Sequence, residues 1–261
     1  MKYDTASYNT ANGLSATYHE NTKLHRHVHR TLPNEIELSA AEQAVLARSY
    51  KEFSSHPKIR LTGKAGVDSG LQNALSARRS RRQFSDRPVA LDVLSALLGW
   101  SAGVSATVST LPNVDQYLRY WPSAGGLYPV EIYVVVRNVV GIDPGVYHFN
   151  PITADLAHLS SDLSLFHPAA CYEPATQSCA FALAFTGVFA RTKAKYGERG
   201  YRYVLLDAGH LGQNFALNAA ALGLANFTSC GFFDDDLNAI LGIDGLEESS
   251  LFLSYFGSRE E

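Results

Sequence analysis

Four arginines crowd one short stretch of this chain. The run RRSRRQF (residues 78–84) sets Arg78, Arg79, Arg81 and Arg82 around Ser80. Guanidinium groups offer a planar fork of N–H donors, and with a neighbouring hydroxyl they suit a phosphate monoester. A solvated charge run is the plain alternative. Nucleic acid is a third, but one short cluster without a wider basic stripe argues against it. A second stretch, WPSAGGLYP (121–129), places Ser123, Ala124, Gly125, Gly126 and Leu127 at the mouth of the apolar run EIYVVVR. Adjacent glycines let backbone approach a flat ligand closely, with N–H groups free to donate; otherwise this is a structural turn. No Gly-Lys-Ser/Thr follows, and the glycines precede the strand, so neither the phosphate-loop nor the dinucleotide fingerprint applies. In a third stretch, CGFFDDDLNAILGI, Cys230 and Gly231 leave a strand just before an acid-capped helix. No Gly-x-Ser-x-Gly elbow exists to support a hydrolase triad.

These stretches need elements to hold them. The longest helical pattern spans residues 199–225. Leu211, Phe215 and Leu222 fall on one side; Ala208, Gly212, Ala216, Ala219 and Ala220 form a second face of small residues. A helix apolar nearly all round is a buried helix, and Gly223 is its expected C′ residue. Asp207, His210, Gln213 and Asn214 gather in its first half. Buried polar groups need partners, so this end is expected to meet a ligand, a loop or a partner chain. An ordinary core helix is the alternative.

The periodicity predicts further helices over 39–52, from Asp68 or Ser69 to Arg78, and over 91–102, 161–170 and 235–243. Ser39 and Glu42 form a capping box for the first. Strands are predicted over 131–137, 146–150, 153–159, 181–189, 224–230 and 250–256, the second and third as a hairpin. Residues 54–68 and 104–120 read as loops. No period repeats, and strands and helices mix without strict alternation. The fold class is therefore α+β, with one mostly antiparallel sheet covered by helices.

The totals exclude several classes. At 261 residues the chain can bury a full core. Its net charge of −3 points to neither a nucleic-acid nor a membrane surface. Three cysteines, without a CxxC pair, argue against a disulfide framework or zinc ribbon and for a reducing, cytoplasmic setting. The N-terminus lacks the apolar stretch of a signal peptide. His25, His27 and His29 would share one face of a strand, but without a matching carboxylate or cysteine no metal site is expected.

Taken in order, the arginine run, the Pro-Ser-Ala-Gly-Gly-Leu-Tyr-Pro turn, the Asp-Ala-Gly-His helix and Gly-Phe-Phe-Asp resemble the FMN-dependent nitroreductase-like flavoenzymes over residues 69–257. The resemblance implies an α+β homodimer built around the long helix, with two FMN sites at the subunit interface. It implies a polar segment over residues 1–35 ahead of an FMN-binding domain over 36–261. It assigns Arg78, Arg79, Ser80 and Arg82 to the FMN phosphate and ribityl chain, and Ser123, Ala124, Gly125, Gly126 and Leu127 to the isoalloxazine. Cys230 and Gly231 would sit near flavin N5, and Arg259 is the remaining basic residue for the phosphate. YHENTKL (18–24), SAGGLYPVEIYVV (123–135) and KYGERGYRY (195–203) resemble a narrower branch, the SagB-type azoline dehydrogenases. That branch oxidises thiazolines or oxazolines in ribosomally made peptides to thiazoles or oxazoles. Its acid/base pair falls on Lys195 and Tyr196; a surface lysine beside a half-buried tyrosine is the plain alternative. The implied partners are an azoline-bearing peptide and a cyclodehydratase complex. A general NAD(P)H-dependent nitroreductase or quinone reductase, and a non-catalytic scaffold in a peptide-modifying complex, are the competing readings.

Overall fold

The computed structural model describes residues 16–19, 70–111, 114–171, 173–196 and 199–260. The expected helix over 39–52, the loop over 54–68, the histidine run and the boundary at residue 35 lie outside them. The described helices are α1 (Gly70–Ala77), α2 (Leu91–Ala102), α3 (Phe166–Ala169), α4 (Glu173–Ser178), α5 (Phe189–Tyr196), α6 (Arg199–Ala221) and α7 (Asp234–Leu241). The strands are β1 (Val89–Ala90), β2 (Val104–Leu111), β3 (Val114–Arg119), β4 (Val130–Val136), β5 (Val139–Val140), β6 (Gly145–Asn150), β7 (Asp155–Ser160), β8 (Phe181–Val188), β9 (Leu224–Ser229) and β10 (Glu248–Ser258).

Runs such as VEIYVVV and FALAFTGV are rich in β-branched and aromatic residues, and both are buried along nearly their whole length. A strand buried on both faces needs cover on both sides. Six strands pair antiparallel in the order β7-β6-β4-β8-β10-β9. On one face, α2 and α6 bury Leu94, Leu97, Leu211 and Phe215 against Phe185, Phe252 and Phe256. On the other, Phe166, Leu237, Tyr255 and Phe227 form a second core under α3 and α7. The α+β class and antiparallel sheet match the expectation from the sequence.

Two expectations need correction. Residues 104–120 form not a loop but a two-stranded antiparallel ribbon, β2 with β3. The described side chains at 105–107 in β2 are exposed, so no buried face imposes the alternation by which strands are recognised. The long helix is not covered all round. Tyr201, Val204, Ala208, Leu211, Phe215 and Ala219 are buried, at helical spacing. Leu205, Leu206 and Leu222 stay exposed at 38%, 54% and 38%. The small residues serve close packing at two points. A Cβ at Gly212 would lie 3.0 Å from the Phe252 ring. One at Gly200 would lie 2.7 Å from the Lys193 amide nitrogen, so this glycine lets α5 fold back against α6. The helix α5 itself, separate from α6, was not legible as an element. Gly223 has φ +75 and ends α6 in the left-handed conformation expected of it.

Candidate functional site

The turn before β4 is bound to the long helix. Ser123 Oγ donates a short hydrogen bond to Asp207 Oδ2 and accepts the Tyr128 N–H at 2.8 Å. Asp207 also accepts the Ala124 N–H. Burial pushes the Asp207 carboxyl up, by more than these hydrogen bonds bring it down. The polar cluster on α6 was expected to meet a loop, a ligand or a partner; for Asp207 the answer is this loop. Asn214 instead donates to the Ser101 carbonyl at 3.3 Å, and His210 and Gln213 are exposed. Gly125 and Gly126 take φ values of 64 and 65, which only glycine adopts cheaply. The expectation of free glycine amides holds in part. The Gly126 and Leu127 N–H groups are used within the turn, on Ser123 O and Ala124 O. The Gly125 N–H has no protein acceptor among the described residues.

The far end of the turn is held as firmly. Tyr128 has φ 46, a left-handed conformation rare for a bulky residue. Its hydroxyl accepts the Arg119 N–H at 2.9 Å, and its ring meets Trp121 edge-on at 5.2 Å. Its carbonyl accepts from Arg191 Nη1 of α5 at 3.1 Å. The same nitrogen forms an ion pair with Glu131 Oε1 in β4. The other carboxylate oxygen, Glu131 Oε2, lies 2.8 Å from His148 Nε2. Burial alone would raise the Glu131 carboxyl, but His148 and Arg191 together hold it below its usual value. Arg119 lies over the Trp121 and Tyr128 rings at 5.3 and 5.0 Å, and burial lowers its pKa against the pull of Glu131. Sequence reasoning missed Glu131 and Arg119, and reached Arg191 only as a cation close in sequence to Lys195. One signal was there: a single carboxylate inside VEIYVVV cannot be buried without a partner.

The arginine run lies along the edge strand β9. Ser80 forms a bridge with Asn226, and the Arg81 N–H donates to Asn226 O at 2.8 Å. Asn226 is itself buried, with Nδ2 on the Tyr255 carbonyl at 3.1 Å. The Arg82 guanidinium lies 5.5 Å over the Phe227 ring. Arg79 turns back onto Ser76 O and Arg78 O. The guanidinium groups of Arg78, Arg81 and Arg82 make no hydrogen bond or ion pair among the described residues. Desolvated charges without partners are costly, but these side chains are exposed or half-buried and remain available to an anion. At the end of β9, the Cys230 side chain is exposed. Gly231 N–H donates to Ser229 Oγ at 3.0 Å, and Gly231 O accepts the Cys171 N–H at 3.1 Å. Arg259 lies at the opposite end of β9. Its guanidinium donates to Ala220 O and Leu224 O, both at 3.2 Å, and so caps the last turn of α6.

The structure thus joins the arginine run to Cys230–Gly231 through β9, and the glycine turn to α5 and α6. Within one chain the two groups stand on different strands. The glycine turn enters β4 and Cys230 leaves β9 at the same end of the sheet, but β8 and β10 lie between. Three strand spacings amount to about 14 Å. Lys195 and Tyr196 form the last turn of α5, with the Tyr196 ring edge-on to Tyr203 at 5.1 Å. The described part of the 18–24 stretch docks on the same helix pair. His19 Nδ1 is 2.8 Å from Tyr201 Oη, and its ring meets Phe189 at 5.1 Å. Two separate marks of the narrower resemblance therefore meet in space. No cluster that could hold a metal ion, and no helix long and apolar enough to cross a membrane, occurs among the described residues.

The nitroreductase family model matches residues 75–257, and the chain belongs to that family. Over 194 residues the chain is 34% identical to the nitroreductase-like protein MJ1384 of Methanocaldococcus jannaschii, covering 73% of this chain and 92% of that one. It is 29% identical over 220 residues to the trifolitoxin-processing protein TfxB of Rhizobium leguminosarum bv. trifolii, covering 81% of this chain. It is 28% identical over 153 residues to the microcin B17-processing protein McbC of Escherichia coli, covering 56% of this chain. The chain spans 59% and 56% of these two peptide-processing relatives. Among solved structures, the E. coli microcin synthetase McbBCD complex with truncated pro-MccB17 bound holds a chain of the same fold. The TM-score is 0.70 at 20% identity, covering 98% of this chain and 97% of that one. A nitroreductase of Desulfovibrio desulfuricans in complex with FMN also shares the fold, with a TM-score of 0.51 at 15% identity over 75% and 89% of the two chains. Family membership makes the protein an oxidoreductase.

Proposed function

We propose that the chain is an FMN-dependent azoline dehydrogenase that converts peptide thiazolines or oxazolines to thiazoles or oxazoles during maturation of a ribosomally made peptide. The observation that carries this reading is the place of Lys195 and Tyr196. They end the helix whose Arg191, one turn earlier, is bonded to the glycine turn. The peptide-processing relatives support it. Uncommitted guanidinium groups along β9 and a turn with left-handed glycines fit a flavin phosphate and a flat ring system. Arg78, Ser80 and Arg82 would hold the phosphate, residues 123–127 would face the ring, and Cys230–Gly231 would border it. When bound, FMN supplies a two-electron acceptor. An azoline ring carries an acidic C–H at the former α-carbon, beside the C=N bond and the carbonyl. Lys195 takes that proton, with Tyr196 beside it in the same turn of helix.

The same reading makes the protein a homodimer whose FMN-binding domain spans residues 36–261. The turn on β4 and the arginine run on β9, with β8 and β10 between them, meet in one site if each site draws the turn from one subunit and the arginines from the other. The exposed Leu205 and Leu206 of α6 supply an apolar contact surface. A cyclodehydratase complex would deliver the peptide. The test is mass spectrometry of an azoline peptide incubated with the flavin-loaded protein. Loss of two hydrogens per ring is expected; an unchanged mass with intact flavin overturns the reading. The identity to MJ1384 favours a second reading, a general NAD(P)H-dependent nitroreductase or quinone reductase. Consumption of NADH with a quinone, without azoline oxidation, would select it.

A further inference from the structure

We infer that Arg191 and Glu131 act together as a positioning pair, holding the helix that ends in Lys195 and Tyr196 in register with the glycine turn. The inference rests on the azoline reading for the role of Lys195, and on geometry alone for the tether itself. One nitrogen, Arg191 Nη1, bonds both the Tyr128 carbonyl and Glu131 Oε1. It therefore joins α5 at once to the end of the turn and to the first residues of β4. The Glu131 side chain is 14% exposed, against 40% for Arg191. The carboxylate is the fixed partner and the guanidinium the arm that reaches it. Glu131 is fixed in turn by His148 across the β4–β6 pair.

The other end of the tether is equally defined. Tyr128 is held at its N–H by Ser123, at its carbonyl by Arg191 and at its hydroxyl by the Arg119 amide. A residue with φ 46 keeps that conformation only when its surroundings impose it. Arg191 supplies one of the three restraints. Lys195 follows four residues later, one turn along the same helix, so a tilt of α5 about its junction with β8 moves Lys195 relative to the turn. The close approach of Gly200 to the Lys193 backbone holds the other side of α5 against α6. The helix is thus gripped from two directions, and the pair provides the grip toward the turn.

The arrangement is a device of position and not of acid–base chemistry. Glu131 balances two guanidinium groups, Arg191 in contact and Arg119 nearby. Neither arginine is therefore a free cation aimed at the reacting atoms. Misplacing a reacting group by about 1 Å can cost about 10²-fold in rate, and that sets the scale of the expected loss.

The experiment uses the full flavin-loaded protein with Arg191→Met, Arg191→Lys, Glu131→Gln and the double variant Glu131→Gln/Arg191→Met. With an azoline peptide, Arg191→Met should lower kcat by about 10- to 100-fold while KM and flavin content change less than about twofold. Arg191→Lys should recover most of kcat, because one ammonium group can reach both acceptors. The double variant should be no slower than the worse single variant, because both changes cut the same tether. Additive losses, or no recovery with lysine, would overturn the pairing. A second readout does not need the azoline reading. Hydrogen exchange of residues 123–128 and of α5 should quicken together in Arg191→Met, while β8 and β10 exchange as in the wild type. Unchanged exchange in both segments overturns the tether. Quickened exchange in a protein that ignores azolines keeps the tether and sinks the azoline reading alone.

Discussion

The glycine turn at 121–129 and the arginine run at 78–84 are read as two halves of one ligand site, yet they are built in opposite ways. In the turn almost every polar group is committed. Asp207 takes the Ser123 hydroxyl and the Ala124 amide, and Arg191 takes the Tyr128 carbonyl. In the run, the backbone is committed to Asn226 while three guanidinium groups make no hydrogen bond or ion pair among the described residues. A flat, weakly charged ring is recognised by shape, and shape must be fixed beforehand. A phosphate is recognised by charge, and long side chains can close on it after it arrives. The turn stores order; the run stores charge.

That contrast can be broken at either half. The largest effect is expected from Arg78→Ala with Arg82→Ala. Each charge-assisted contact is worth about 1.5–3 kcal/mol, so FMN affinity should fall by about 10²- to 10⁴-fold if the contacts act independently. Unfolding of the flavin-free protein should change little, because neither side chain is hydrogen-bonded or ion-paired among the described residues and the exposed contact of Arg82 with Phe227 is worth only about 0.5–1 kcal/mol. Fluorescence titration with FMN and a denaturant curve of the apoprotein measure the two effects. A loss of apoprotein stability equal to the loss of affinity would erase the contrast.

Lys195→Ala sharpens the contrast from the other side. Ring oxidation should fall by about 10²- to 10⁴-fold while FMN stays bound, since α5 is tied to the turn and not to the run. Tyr196→Phe separates the hydroxyl from the ring that packs on Tyr203. Azoline turnover beside flavin absorbance of the purified variants is the measurement; two variants that oxidise at the wild-type rate would make the pair structural.

Leu206→Glu tests how the two halves meet. Leu206 is 54% exposed in one chain, so the subunit fold should survive the change. Burying one leucine side chain is worth about 1.5–3 kcal/mol and a homodimer buries two, so dimer dissociation should become about 10²- to 10⁴-fold easier, and flavin should leave with it. Sedimentation at several concentrations decides it. A protein that remains monomeric and flavin-bound would put both halves of the site in one chain, with β8 and β10 between them.

The smallest expected effect is electrostatic. Burial raises the Asp207 carboxyl in the folded state above its unfolded value. The folded protein therefore keeps this proton to higher pH than the unfolded chain does. The contribution is favourable at low pH and is lost as pH rises from about 4 through the raised value. Asp207→Asn should remove that part of the pH dependence and still accept from Ser123. Denaturant midpoints of the two proteins, compared across acidic pH, should diverge in this sense; parallel curves would mean that Asp207 titrates normally.

Much of this was legible before the structure, and the reasons for the remainder are physical. The buried strands announced themselves because VEIYVVV and FALAFTGV have no other stable environment. The turn and the run announced themselves by residue type. Arg191 and Glu131 did not, because their partnership spans 60 residues of sequence and a surface helix of ordinary composition. The bond from Arg191 to Tyr128 spans 63. The β2–β3 ribbon was misread because exposed strands lack the alternation that burial imposes. Arg259, assigned to the phosphate by resemblance, donates to Ala220 O and Leu224 O, two residues along β9 from the Asn226 carbonyl that takes the Arg81 N–H.

The sheet order has a consequence for how the chain is made. Strand β10 lies inside the sheet, between β8 and β9, although it is synthesised after both. Until residues 248–258 have left the ribosome, β8 lacks one neighbour and β9 has no partner strand in this sheet. A nascent chain in that state presents two long unpaired edges flanked by Phe181, Phe185 and Phe227. Such edges are templates for pairing with other chains. This sheet is thus sealed by β10, and its most hazardous moment comes just before residues 248–258 emerge.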